Sequence, residues 1–246
     1  MTFKMCIDYC TVLDVDYPTF LRSRQPEAVT ISEKAALKFK PGLHILDGCA
    51  SYPAVNAAGE TSGGLKGTNG DSGCKVSLLG SQVYGRAGWY QDVWAIMYSW
   101  YFPKGFWAGF ASRRHDWASF VVWIDNPAVE SPRILGVSLS KSEKKYHTET
   151  TIYESAFMGY RVLGTRFDRS YIYGSNTSMR VQHSTDDDIS AVLEFSYADG
   201  EYQDLIMWEQ MTDAVRAALV DSNFDDFNIP FNEDHFNEHL EKAWPF

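Results

Sequence analysis

Residues 93–102 read VWAIMYSWYF. Successive side chains of a β-strand point to opposite faces. Here apolar and aromatic groups fill both alternating sets, so the segment predicts a strand covered on both sides. Pro103 ends it, because proline has no amide to give to the ladder. Working outward, SFVVWID (119–125) and RILGVSLS (133–140) read as further strands, with weaker ones expected near 144–153, 159–166, 179–184 and 190–197. The Gly-, Ser- and Asn-rich stretch 42–92 predicts mostly loop and short strand. SEKAALKFKP (32–41) predicts a helix with Ser32 as N-cap and Pro41 as stop. TDAVRAALVDS (212–222) predicts a helix capped by Thr212, and NEDHFNEHLEKAW (232–244) one capped by Asn232 with acids in its first turn. Residues 1–31 are polar and irregular and read as an N-terminal extension. Residues 32–246 then form one mainly β domain, a β-sandwich with a few helices on its outside.

The chain has 246 residues, 45% hydrophobic and 22% charged, as a folded globular protein of one domain does. Its net charge of −10 repels phosphates. That argues against nucleic-acid binding by charge and disfavours adsorption to anionic lipid. No apolar run reaches the ~18 residues of a membrane span. The N-terminal MTFKMCIDYCTVLDVDYP is unlike a signal peptide, because Asp8 and Asp14 interrupt its short apolar run. NTS at 176–178 is a glycosylation sequon, relevant only to an exported chain. The cysteines are Cys6, Cys10, Cys49 and Cys74, which permits two bridges in three connectivities. Cys49 and Cys74 flank a loop containing TSGGLKGTNGDSG, and a bridge is the natural way to hold such a loop. Its closure is worth roughly 3–4 kcal/mol in the chain-entropy picture. Cys6 and Cys10 are close enough in sequence to pair with each other, the alternative being two free thiols.

The chemistry-bearing stretch follows the first strand: PKGFWAGFASRRHDWASF, 103–120. By alternation Asp116, Ala118 and Phe120 face one way, and His115, Trp117 and Ser119 the other. A carboxylate at 118 would share the space of Asp116, and the loop before it could fold back to add ligands. A hard cation such as Ca²⁺ or Mg²⁺ needs about six oxygens, several from carboxylates. Yet position 118 is alanine, and 103–114 contains no acid. HFNEH (235–239) matches an inverted zinc-peptidase pattern. That chemistry needs a third ligand well downstream, so a surface helix is the simpler reading. The adjacent Asp186, Asp187 and Asp188 read as a solvated turn, and His44 and His147 as structural. With no nucleophile–His–acid string and no paired acids at a cleft, the chain is not expected to be an enzyme.

LKFKPGLHI (37–45), YPAV (52–55), GSQVYGR (80–86), WAIMYSWYFPK (94–104), RHDW (114–117), VVWIDNP (121–127), QDLIMWEQMTDA (203–214) and KAWPF (242–246) together resemble the necrosis- and ethylene-inducing protein family, the NLPs. The resemblance is collinear over 33–246. It implies a secreted β-sandwich similar to actinoporins and fungal lectins. Members bind sphingolipid headgroup sugars on plant plasma membranes and lyse the cell with the help of a bound Ca²⁺ or Mg²⁺. The family string Gly-His-Arg-His-Asp-Trp-Glu falls on Ser112, Arg113, Arg114, His115, Asp116, Trp117 and Ala118, and the preceding Pro-Lys-Asp on Pro103, Lys104 and Gly105. The family's ligand positions are then Gly105, Arg113, Asp116 and Ala118, with only Asp116 retained. One carboxylate does not displace a divalent cation's hydration shell, so the expectation is no metal, no cofactor and no cation-dependent lysis.

Two readings of the arginines stand side by side. Arg113 pairs with Asp116 in place of the cation, a fork-shaped donor suiting a carboxylate, or Arg113 and Arg114 are solvated loop residues. Phe106 and Trp107 replace small or polar family residues, and Phe157 falls where a membrane-facing Trp is common. Exposed, they would contact a membrane or partner; the alternative for Phe106 and Trp107 is to fill the emptied cation cleft. The implied partners are plant plasma-membrane sphingolipid headgroups or glycans, and a plant immune receptor reading the segment from Ala95 to Arg114, for a monomeric protein. Cation-independent lysis and a lectin-like glycan-binding module are the alternatives.

Overall fold

The computed structural model describes residues 21–65, 70–107, 110–185, 192–222, 224 and 227–246. Its centre is β3 (Val93–Phe102), flanked antiparallel by β2 (Gln82–Tyr90) and β6 (Asp116–Ile124). A two-residue turn joins β2 to β3, with both Gln91 and Asp92 at positive φ (46° and 65°). That is the primed turn geometry, whose twist matches that of the strands it joins. With β7 (Ile134–Ser142), β8 (Lys145–Glu149) and β13 (Asp204–Met207) these strands make a six-stranded sheet, ordered β13-β2-β3-β6-β7-β8.

Both faces of this sheet are covered, as the pattern of β3 requires. Ile96, Tyr98, Trp100 and Phe102 meet Phe120, Val122 and Leu139 on one face. There a second sheet closes the sandwich: β1 (Gly42–Ile45), β11 (Arg180–Ser184) and β12 (Val192–Phe195), supplying Leu43, Val181 and Leu193. α1 (Ile31–Lys38) packs at the same side through Ala35 and Ala36, and Tyr98 donates to the Ala36 carbonyl at 2.7 Å. On the other face Ala95, Met97 and Tyr101 join Trp117, Val121 and Trp123 under α2 (Asp213–Asp221) and α3 (Phe236–Ala243). The Cys49–Cys74 disulfide lies in this second core and holds the loop between them against the sheet.

Three local expectations shift. The cap of α1 is Thr30, not Ser32: Thr30 and Glu33 form a reciprocal capping box. α3 begins at Phe236, and Asn232 instead organises the turn before it, its Oδ1 accepting from the His235 amide at 3.0 Å. β2 is a nine-residue strand where mostly loop was expected. Thr212 caps α2 as expected, accepting from the Val215 amide at 3.3 Å. Residues 21–30 are irregular but fastened to the body, Arg22 pairing with Asp204 at 2.7 Å and the Ser23 amide donating to Gln82 at 2.8 Å. Cys6 and Cys10 lie outside the described residues, as do Asp186, Asp187 and Asp188.

Candidate functional site

Between β3 and β6 the chain makes a small hairpin, β4 (Gly105–Trp107) and β5 (Phe110–Arg113), with Gly105 opposite Arg113. Asp116 opens β6 and is 1% exposed. Its Oδ1 accepts from the Trp117 amide at 3.0 Å, and its Oδ2 accepts from Arg113 Nη2 at 3.1 Å. The Arg113 guanidinium also lies over the Phe227 ring, 5.2 Å from its centroid. The ion-pair reading of Arg113 is therefore the one realised. A Cβ placed on Gly105 would stand 2.9 Å from both Arg113 Nε and Asp116 Oδ2. Glycine at 105 thus leaves the room that the guanidinium takes.

Alternation sends the neighbours where expected. Ala118 and Phe120 enter the sandwich core, while Trp117 turns to the helical face. His115 is buried there, its Nδ1 2.7 Å from the Tyr101 hydroxyl, which in turn donates to Ser62 Oγ at 3.0 Å. Arg114 reaches the Gly63 carbonyl at 3.5 Å, so it is not a solvated loop residue. Lys104 is buried and donates to the Gly70 carbonyl at 2.7 Å. Burial holds its pKa below the usual lysine range, with the nearby Asp71 charge pulling the other way. Ser112 Oγ donates to the Gly105 carbonyl at 3.4 Å. The motif remnant is thus a knot tying the hairpin to Ser62, Gly63 and Gly70. Sequence reasoning missed Lys104, which its place in the Pro-Lys-Gly turn could have suggested.

Phe106 is 4% exposed and packs in the helical-side core, so its ring fills the interior and does not face a membrane or partner. Phe157 is partly buried against the sandwich core, its backbone bridged to Met179, and does not stand free either. The side chain of Trp107 lies outside the described residues. The segment from Ala95 to Arg114 comprises β3, β4 and β5, and 95–102 is buried throughout. In HFNEH, His239 is turned inward, its Nδ1 2.9 Å from the Tyr146 hydroxyl, while His235 lies 3.6 Å from Glu238. Among the described residues no group of three or more His, Cys, Asp or Glu is placed to hold a metal ion. An open cleft of about 580 Å³, which no motif announced, is lined by His44, Ser51, Lys75, Glu201, Tyr202 and Asp204 among others.

The donor set at the four positions that the resemblance implies as ligands does not fit a divalent cation. Glycine and alanine offer no donor, Arg113 offers a positive charge, and the one carboxylate is already paired. A hard cation asks for about six oxygens.

The family model described as necrosis inducing protein (NPP1) matches residues 33–243. The NLP effector protein Pc109174 of Phytophthora capsici is 49% identical over an alignment covering 90% of this chain and 89% of that protein. NLP effector protein 6 of Plasmopara viticola is 42% identical, with 98% and 89% covered. The crystal structure of the non-toxic HaNLP3 protein superposes with a TM-score of 0.80 at 43% identity, covering 93% of this chain and 98% of that one. NLPPya in complex with mannosamine gives a TM-score of 0.79 at 33% identity, with the same coverage. The chain belongs to the necrosis inducing protein (NPP1) family, and its β-sandwich is the fold of that family's NLP members.

Proposed function

We propose that this chain is a secreted NLP protein that recognises glycans or sphingolipid headgroups but does not lyse membranes through a divalent cation. It is not an enzyme and needs no cofactor. The observation that carries this reading is the Arg113–Asp116 pair with Gly105 against it, the resemblance implying alanine at the remaining ligand position, 118. A guanidinium against a buried carboxylate satisfies that carboxylate permanently, and a fixed positive charge repels Ca²⁺ and Mg²⁺ from the same space. The likeness to HaNLP3, described as non-toxic, supports the loss of lysis. The mannosamine and glucosamine complexes of NLPPya support a retained sugar affinity. Within the 95–114 segment, 95–102 is buried, so a receptor would read that part only from unfolded or cleaved protein.

The test is calorimetric titration with Ca²⁺ and Mg²⁺ alongside dye leakage from vesicles carrying plant sphingolipid. The expected result is no binding heat and no leakage. Leakage that requires Ca²⁺ or Mg²⁺ would overturn the proposal, and leakage without cation binding would favour the cation-independent lysis alternative. Binding heat that disappears in Asp116→Asn would overturn the reading of the site.

A further inference from the structure

After the hairpin of β9 (Arg161–Gly164) and β10 (Arg169–Ile172), a short turn at 175–178 leads the chain into β11. The turn reads Ser-Asn-Thr-Ser, and Ser175 organises it. The Ser175 amide donates to the Met158 carbonyl at 2.8 Å. Its Oγ accepts from the Thr177 amide at 3.1 Å and from the Ser178 amide at 2.8 Å. A serine hydroxyl here does what a backbone carbonyl does in an ordinary turn. Ser178 fastens the far side, its carbonyl accepting from the Met158 amide at 3.0 Å and its hydroxyl donating to the Lys40 carbonyl at 2.8 Å.

These bonds fix the backbone and leave the Asn176 side chain out. Asn176 is exposed, and its amide group bonds to none of the described residues. Other asparagines of this chain hold their own turns. Asn56 Oδ1 accepts from the Ala58 and Glu60 amides, both at 3.0 Å, and Asn126 Oδ1 from the Ala128 amide at 2.8 Å. At 175–178 Ser175 has taken that task, so Asn176 has no part in the fold and stands free on an anchored turn. The sequence supplies the second condition. Asn176 is the one asparagine in the chain with Ser or Thr two residues on and no proline between. That is the pattern read in N-glycosylation, which places a bulky, solubilising group at a surface.

We propose that Asn176 is the acceptor for an N-linked glycan. The inference rests on the reading that the chain is exported, because the oligosaccharyl transferase works in the secretory pathway. In the transfer, Asn176 Nδ2 attacks the anomeric carbon of an oligosaccharide carried on a lipid pyrophosphate. The N–C bond forms as the C–O bond to the pyrophosphate breaks. The lipid pyrophosphate leaves with the electron pair, and one Nδ2 proton passes to a base of the transferase. The enzyme must also reach the Ser178 hydroxyl, which the folded chain commits to Lys40. Attachment therefore precedes the closing of this turn onto Lys40. Afterwards the glycan extends from an exposed side chain and displaces nothing in the core.

The test is secretion of the full chain from yeast behind an added cleavable leader, with intact mass read before and after peptide-N-glycosidase. The expected result is a discrete downward mass shift, with aspartate left at position 176 in the tryptic peptide 170–180. Asn176→Gln and Ser178→Ala should each abolish the shift, and Thr177→Ala should keep it. Since the Asn176 side chain bonds to nothing described, Asn176→Gln should unfold at the wild-type temperature. Protein in the medium or held in the secretory pathway without a mass shift overturns the proposal, as does a shift that survives in Asn176→Gln. The added leader separates the two readings. An unglycosylated, leader-driven protein sinks the acceptor and leaves export untouched, whereas absence of the native protein from its producer's medium sinks export and leaves the acceptor standing.

Discussion

Arg113 pairs with the buried Asp116, and the worth of that pair to the fold can be isolated. Asp116 is 1% exposed and Arg113 28% exposed, so the pair is only weakly screened. Arg113→Ala strands a buried carboxylate without its cation and should cost about 2–3 kcal/mol in urea unfolding. Arg113→Ala/Asp116→Ala should cost less than the Asp116 and Arg113 single losses added together, because no uncompensated charge remains. Additive costs would mean that the two groups are neighbours without being coupled. The family string placed Arg113 and Asp116 in one site, but strand alternation spoke only for 116 and 118, so the sequence left an ion pair and a solvated loop both open and the structure decides for the pair. The string did not make Arg114 and Lys104 legible, because their partners are carbonyls of the distant loop residues Gly63 and Gly70. Backbone acceptors carry no residue signature, so nothing in the sequence marks them.

At the scale of elements, β3 was fully legible and β2 was not, and the difference is physical. VWAIMYSWYF carries its burial on every side chain. QVYGRAGWY has two glycines and ends in a Gln-Asp turn that lacks the usual Asn-Gly signal. Pairing with β3 and β13 makes it a strand. Phe106 illustrates the same limit, since three residues of strand have no period to read and only the packed core decides which way the ring turns. Helix starts are likewise decided by reciprocal bonds. Thr30 accepts from the Glu33 amide, and the Glu33 carboxylate accepts from the Thr30 amide at 2.9 Å. Thr30→Ala should therefore destabilise the protein by about 1 kcal/mol, whereas Ser32→Ala, already inside the helix, should cost less than about 0.5 kcal/mol. Chemical unfolding of the two variants decides between the caps, and an equal or larger loss at Ser32 would refute the box.

The whole molecule is one central sheet with a different core on each face, and each core holds a buried neutral histidine. On the sandwich side His183 stacks on Phe102 with ring centroids 3.9 Å apart. Burial pushes its pKa down to about 4, against the opposing pull of the Asp47 carbonyl and charge. On the helical side His239 is pushed down to about 4 by burial, helped by Lys242 and His235 and opposed by Glu238. In the unfolded chain both titrate near the ordinary value of about 6.5. Below that pH the unfolded state binds protons that the folded state refuses, so stability falls as pH drops from about 6.5 to about 4 and is fully present above this window. Each histidine contributes on the order of 3 kcal/mol to that fall. His239→Gln cannot titrate yet keeps an acceptor for the Tyr146 hydroxyl, so it should flatten the decline by about half while leaving the His183 share. Denaturant midpoints at neutral pH and at two points inside the window measure both slopes. If the variant declines as steeply as the wild type, acid sensitivity does not come from the helical-side core. If neither declines, the two histidines are not neutral through burial.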